Sequence, residues 1–192
     1  MNQSSKQRRR QADRNRRRRQ AIAVSGFVAV AVGLAWFFEL QATTTVLLVR
    51  HADPVVNGGE DPPLSERGRR RAQDLADFLG NVDVVASVDA IFASQFRRTQ
   101  QTAAPLAEDL DIAVNIADAE DIVGTAAAIL EDHKGEIVLV VGHSNTVPML
   151  IEEFHGSKQV EILENEYDHL YVVTIPWFGK VKTLMFRYGP AG

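Results

Sequence analysis

The chain has 192 residues, 45% of them hydrophobic, which is room for one core-bearing domain of ordinary size plus an appendage. It has no cysteine, so disulfides, thiolate metal sites and cysteine nucleophiles are excluded. The net charge of −4 hides a split: residues 1–20 carry nine basic residues against the single acid Asp13, and the remainder carries 12 basic against 24 acidic. An acidic body is repelled by phosphate backbones, so nucleic acid is not an expected partner, and any phosphate chemistry must come from a local cluster of arginines.

Residues 1–20 are polar and Arg-rich, ending in Arg16–Arg19, and cannot form a core; the composition predicts a disordered basic arm. Ala21–Phe38 follows without a charge. As a helix it would span about 27 Å, near the hydrocarbon thickness of a bilayer, with Trp36, Phe37 and Phe38 at its far end as interfacial aromatics. Residues 21–40 are therefore read as a transmembrane helix. Arginines before a first apolar segment favour a cytoplasmic amino end, which places residues 43–192 across the membrane, in the periplasm or its equivalent. A cleaved signal peptide is the competing reading, but Leu40 is a poor residue three positions before a cut after Ala42.

The first strand signal is Val46–Val49, an apolar run that delivers Arg50 and His51 to its carboxyl end. A Pro-, Gly- and Asp-rich loop follows to Pro63, and Ser65 is placed to cap a helix over Glu66–Leu79 closed by Gly80. Val88–Ala93 reads as a strand, and Ser94–Thr99 as the turn into a helix reaching Asp109 despite Pro105. Ile112–Ile116 is a short strand, Ile122–His133 an alanine-rich helix, and Glu136–Val141 a long apolar strand ending in Gly142-His143-Ser144-Asn145. A helix over Thr146–Phe154 and two strands, Leu170–Ile175 and Val181–Tyr188, complete the pattern. Strands alternating with helices predict a single doubly wound α/β domain with a mostly parallel sheet over residues 43–192, preceded by the one transmembrane helix. Parallel strands bring the ends carrying Arg50-His51, Ser94–Arg98 and Gly142-His143 to one edge, where open α/β sheets bind ligands.

Four stretches carry a family resemblance: LLVRHADP at Leu47–Pro54, PLSERGRRRA at Pro63–Ala72, SQFRRTQQTA at Ser94–Ala103 and VLVVGHSNTVP at Val138–Pro148. In this order and spacing the chain resembles the histidine phosphatase superfamily, of phosphoglycerate-mutase-like fold. The resemblance implies that His51 is a nucleophile forming a phosphohistidine that water hydrolyses, that Arg50 and Arg98 clamp the phosphoryl oxygens, and that His143 adds a further donor. It implies no metal and no cofactor. Ala52 stands where the family's usual motif has glycine, and Ser144 stands where one branch has an aspartate proton donor. In the mutase-like branch the proton donor is a carboxylate some twenty residues after the second arginine, a window that holds Asp118, Glu120 and Asp121 and leaves the choice open. Asp53 is a rival beside the nucleophile. Asn57 falls where mutase-like members contact phosphate with an asparagine.

Among the remaining residues, Arg97 is read as a rim charge, His133 as a helix-end residue favoured by the dipole, His155 as a loop residue and His169 as surface. The short interval between Ala103 and Val138 leaves little room for a closing lid, which favours hydrolysis over transfer. The expected function is a metal-independent phosphatase acting on phosphomonoesters or phosphoramidates, its substrate a phosphoprotein bearing phosphohistidine or phosphoserine, or an envelope sugar phosphate. The alternatives are a phosphate-binding scaffold of the same fold and a phosphoglycerate-type mutase.

Overall fold

The computed structural model describes residues 3–39, 43–81, 87–157 and 159–189. The chain divides into two compact units that meet in sequence at Gln41 and Ala42.

The first unit is one helix, α1 (Gln3–Glu39). It runs through the basic arm expected to be disordered. Arg, Gln, Lys and Ala are strong helix formers, and extending an existing helix avoids the cost of nucleation. Side chains 16–36 are exposed throughout. Its stretch Arg16–Trp36 is long and apolar enough to cross a membrane. The cleavage-site residues Leu40–Ala42 lie outside the described residues, as do the side chains of Phe37 and Phe38.

The second unit follows the expected alternation: β1 (Thr44–Arg50), α2 (Glu66–Asn81), β2 (Ala90–Ser94), α3 (Arg97–Leu110), β3 (Val114–Ala117), α4 (Ile122–Asp132), β4 (Ile137–Gly142), α5 (Thr146–Glu153), β5 (His169–Ile175) and β6 (Lys182–Arg187). The strands form one sheet in the order β3-β2-β4-β1-β5-β6. The first four are parallel, while β5 runs antiparallel to β1 and β6 antiparallel to β5.

Alternation along the strands builds two cores. Val46 and Leu48 of β1, with Phe92, Val138 and Val140, meet α4 and α5 through Ile129, Leu150 and Ile151. Leu47 and Val49, with Ile91, Leu139 and Val141, meet α2 and α3 through Leu75, Ala103 and Leu106. Both faces of the central strands are thus covered, which is why they read as continuous apolar runs.

Ser65 caps α2, its hydroxyl accepting the Gly68 N–H at 3.0 Å. Gly68 is also where α2 touches the segment after β1: a Cβ there would run into the backbone carbonyl of Asp53. The carboxylate of Asp53 takes Arg71 Nε at 2.8 Å and Arg67 Nε at 3.2 Å, which commits it to holding the loop against α2. The carboxyl ends of β3, β2, β4 and β1 all reach one edge of the sheet, and the antiparallel β5 begins at that same edge.

Candidate active site

His51 leaves the end of β1 buried, 5% exposed. Its main-chain N–H continues the β1–β4 ladder by donating to the Gly142 carbonyl at 2.9 Å. The ring's Nδ1 lies 2.8 Å from the Ala52 carbonyl oxygen. A carbonyl only accepts, so Nδ1 carries the proton and Nε2 keeps its lone pair. Burial, with the nearby charges of Arg50 and Arg98, lowers the His51 pKa to about 3, so the ring is neutral. Ala52 does not take a positive φ, so this position does not require glycine, and it is buried in a cluster with Leu64 and Ala72. Its N–H donates to Thr102 Oγ1 at 2.9 Å, and Thr102 in turn donates to the Arg98 carbonyl at 2.7 Å, tying the end of β1 to the first turns of α3.

His143 follows β4 and meets His51 edge to face, ring centroids 5.3 Å apart. Its N–H donates to Thr146 Oγ1 at 2.8 Å at the start of α5. A Cβ on Gly142 would come 2.7 Å from that same hydroxyl, so only glycine lets the turn close here. A directed chain of hydrogen bonds sets its tautomer. Thr99 donates to the backbone carbonyls of Ser94 and Phe96, at 3.0 and 2.7 Å, so its oxygen accepts from Ser94 Oγ at 2.8 Å. Ser94 Oγ then accepts from His143 Nε2–H at 2.9 Å. The remaining nitrogen, Nδ1, faces Arg98 Nη2 at 3.4 Å and can only accept from it. Burial, then the Arg98 and Arg50 charges, lower the His143 pKa to about 4.

Arg98 lies over the Phe96 ring, 4.5 Å from its centroid, and has Asp61 Oδ1 3.8 Å from Nη1. Asp61 also accepts the Arg97 N–H at 2.9 Å. The Arg97 side chain itself is exposed, as a rim charge should be.

Arg50 departs from the simple clamp. Its Nη1 donates to the carbonyls of Leu163 and Glu164, both at 2.9 Å, and of Glu166 at 3.3 Å, while its guanidinium stacks 4.2 Å from the Tyr167 ring centroid. Nη2 reaches Tyr167 Oη at 3.4 Å, and Nε is buried without a partner among the described residues. A guanidinium has only donors to satisfy, and a carbonyl-rich loop leading into β5 serves that need.

His51, Arg98 and His143 border a cleft of about 380 Å³ lined also by Phe96, Gln95, Ala119, Glu120 and the Ser144–Thr146 turn, whereas Arg50 is not among its lining residues. Of the three carboxylates in the window after β3, only Glu120 lines it. Asp121 caps α4, accepting the Gly124 N–H at 2.8 Å, and Asp118 accepts the Glu120 N–H at 3.0 Å and faces Gln95 Nε2 at 3.4 Å. Asn57 does not line the cleft: it is exposed and takes a left-handed turn position, φ 61°, which its short amide side chain tolerates. Among the described residues no group of three or more His, Asp or Glu is arranged to hold a metal ion.

His169, the first residue of β5, is buried rather than at the surface; Tyr171 Oη lies 3.4 Å and Glu166 Oε2 3.7 Å from its Nδ1. His133 closes α4 as expected, with Nδ1 2.7 Å from Glu136 Oε2, and His155 takes an exposed left-handed turn position. Sequence reasoning missed Tyr167, Asp61 and the Ser94–Thr99 pair as partners of the site. Ser94 and Thr99 did carry a signal, since one ends a buried strand and the other opens the helix beside Arg98.

The model of the histidine phosphatase superfamily (branch 1) matches residues 46–121. No curated protein matches the chain. Among solved structures, the protein histidine phosphatase SixA complexed with tungstate aligns with a TM-score of 0.61 at 19% identity, over 74% of this chain and 96% of that one. A mycobacterial glucosyl-3-phosphoglycerate phosphatase aligns at 0.57 and 14% identity, over 78% of this chain and 100% of that one. A mutant phosphoserine phosphatase of Entamoeba histolytica, in complex with phosphoserine, aligns at 0.55 and 11% identity, over 76% of this chain and 96% of that one. At these identities the likeness is one of fold, and it agrees with the family match and with the motifs that bring His51, Arg98 and His143 to the cleft. Residues 46–121 thus match the histidine phosphatase superfamily, and the domain that contains them shares the fold of these solved phosphatases.

Proposed function

We propose that the protein is a phosphatase that hydrolyses phosphomonoesters or phosphoramidates through a phosphohistidine on His51. The observation that carries this is the neutral His51 ring, its Nδ1 proton held by the Ala52 carbonyl and its Nε2 lone pair free beside Arg98 and His143. Nε2 attacks phosphorus as the P–O or P–N bond to the leaving group breaks, and Glu120 gives that group a proton. Water, deprotonated by the Glu120 carboxylate, then attacks the phosphohistidine; the N–P bond breaks, inorganic phosphate departs and Nε2 regains its lone pair.

Arg98 holds the equatorial oxygens in competition with Asp61, and its planar fork suits charge that spreads over them in the transition state. Arg50, with Nη1 spent on the 163–166 carbonyls, contributes its charge and offers Nε and Nη2. A phosphoryl dianion beside His143 raises its pKa and draws a proton onto Nδ1, which turns an acceptor into the further donor of the site.

Hydrolysis is favoured over transfer because Gln95 and Glu120 at the cleft wall are solvent-exposed, so water reaches the intermediate. The same openness suits a phosphoryl group on a bulky carrier, a phosphoprotein or an envelope sugar phosphate. We further propose that α1 spans a membrane with its amino end cytoplasmic and that residues 43–192 form the catalytic domain on the other side.

The test is phosphate release by the full chain from aryl phosphates and from phosphohistidine, set against His51→Ala and Arg98→Ala. A mutase would move phosphate between acceptors with little release, and a scaffold would bind phosphate without turnover. Reporter fusions at each end test the topology.

A further inference from the structure

The end of the sheet away from the cleft carries an unusual turn between β5 and β6. Trp177 is 56% exposed and Phe178 88% exposed, the latter more than any other described large hydrophobic residue. Lys180 and Lys182 follow them in sequence, also exposed, and Gly179 takes φ +121°, a turn conformation that only glycine accepts easily. Two aromatic rings at a tip with lysines behind them have the composition of a segment that lies in a bilayer interface: the rings enter the acyl boundary and the ammonium groups stay among headgroups.

The register says which end of the domain this is. Thr44, the first residue of β1, pairs with Ile175, the last residue of β5, so the turn begins beside the point where the chain enters β1. Five peptide links separate Glu39, the last residue of α1, from Thr44, and a fully extended chain covers at most about 18 Å in that distance. If α1 spans a bilayer, β1 therefore starts within reach of its surface, and the Trp177–Phe178 turn starts there too. The cleft lies at the other end of β1, seven residues or about 20 Å along the strand.

We infer that the β5–β6 turn, Trp177 and Phe178 backed by Lys180 and Lys182, is a second membrane contact that inserts into the lipid interface and turns the cleft away from the bilayer. The inference rests on reading α1 as the anchor. It commits to anionic lipid as the occupant, because the lysines at the base of the tip complement a negative headgroup layer and the chain cannot carry the turn far from it.

The absence of cysteine makes the test direct. The full chain carrying Phe178→Cys, labelled with an environment-sensitive fluorophore, is reconstituted into mixed phosphatidylcholine and phosphatidylglycerol vesicles. Val56→Cys, in an exposed loop after β1 at the cleft end, is the comparison, and Trp36 fluorescence in Trp177→Phe reports on the anchor. The expected result is blue-shifted emission at 178, loss of intensity with lipids brominated near the headgroup, a larger loss as phosphatidylglycerol is raised, and neither effect at 56. A 178 probe open to aqueous iodide and untouched by brominated lipid, while Trp36 is quenched, overturns the contact and leaves the anchor standing. A 178 probe shielded from iodide but unquenched by lipid, with shielding that grows as protein per lipid rises, assigns the tip to a second copy and also overturns it. An unquenched Trp36 removes the anchor, and the inference with it.

Discussion

His51 and His143 stand edge to face, ring centroids 5.3 Å apart, and both are neutral. One presents a lone pair to the cleft and the other presents one to Arg98, so their roles differ by hydrogen bonding and not by residue type. The pair also has a stability consequence. Both pKa values lie below the 6.5 of an exposed imidazole, at about 3 and about 4, so below pH 6.5 the unfolded chain binds more protons than the folded one. Stability is fully present above about pH 6.5 and is lost as pH falls toward 4 and then 3. For His51 the total loss is on the order of a few kcal/mol. Denaturant unfolding at pH 7 and pH 4.5 should show a smaller acid loss for His51→Asn than for the parent.

Ser94→Ala and Thr99→Val break the chain of donors that fixes the His143 tautomer. Each leaves a buried polar group unpaired, which costs about 1–3 kcal/mol of stability. Turnover should fall for both while His51 still accepts phosphate. If His143 acts through its orientation, Ser94→Thr, which keeps the hydroxyl, should recover more activity than Ser94→Val.

Asp61 Oδ1 lies 3.8 Å from Arg98 Nη1, so its charge competes with a substrate anion for that guanidinium. Asp61→Asn keeps an acceptor for the Arg97 N–H and removes the competing charge. Inorganic phosphate should then bind several-fold more tightly and inhibit more strongly, an effect that shrinks as salt screens the pair. Unchanged inhibition would mean that Asp61 does not compete.

Glu120→Gln should cost roughly 10²-fold or more in kcat on alkyl phosphates, whose leaving groups need a proton, and much less on nitrophenyl phosphate. Asp118→Asn and Asp121→Asn should leave the rate near that of the parent. A rate loss concentrated in Asp121→Asn beyond its cost to the α4 cap would move the proton donor there.

The strands and helices of the second unit were legible because burial on both faces of β1 and β4 leaves apolar runs that admit few other readings. Arg50, His51, Arg98 and His143 were legible as strand-end residues in family motifs. Glu120 could not be told from Asp118 and Asp121, since side-chain direction in the loop after β3 depends on what packs around it, and two of the three are spent on local backbone N–H groups. Tyr167 and the 163–166 carbonyls lie more than a hundred residues from Arg50, joined to it only by the antiparallel β5 register. Residues 3–20 are helical as part of α1, where helix propensity and the adjoining apolar stretch act against the disorder that their charge predicts.

The most direct test is to look for the phosphoryl group itself. Full-length protein is mixed with substrate, quenched in alkali within one turnover, and digested for mass spectrometry of the peptide that spans β1 and the loop after it. The proposed mechanism predicts a base-stable, acid-labile phosphoryl group on His51 that forms and decays at the rate of turnover and is absent, with activity, from His51→Ala. Phosphate release that continues in His51→Ala, or that proceeds with no adduct at any time point, would contradict it.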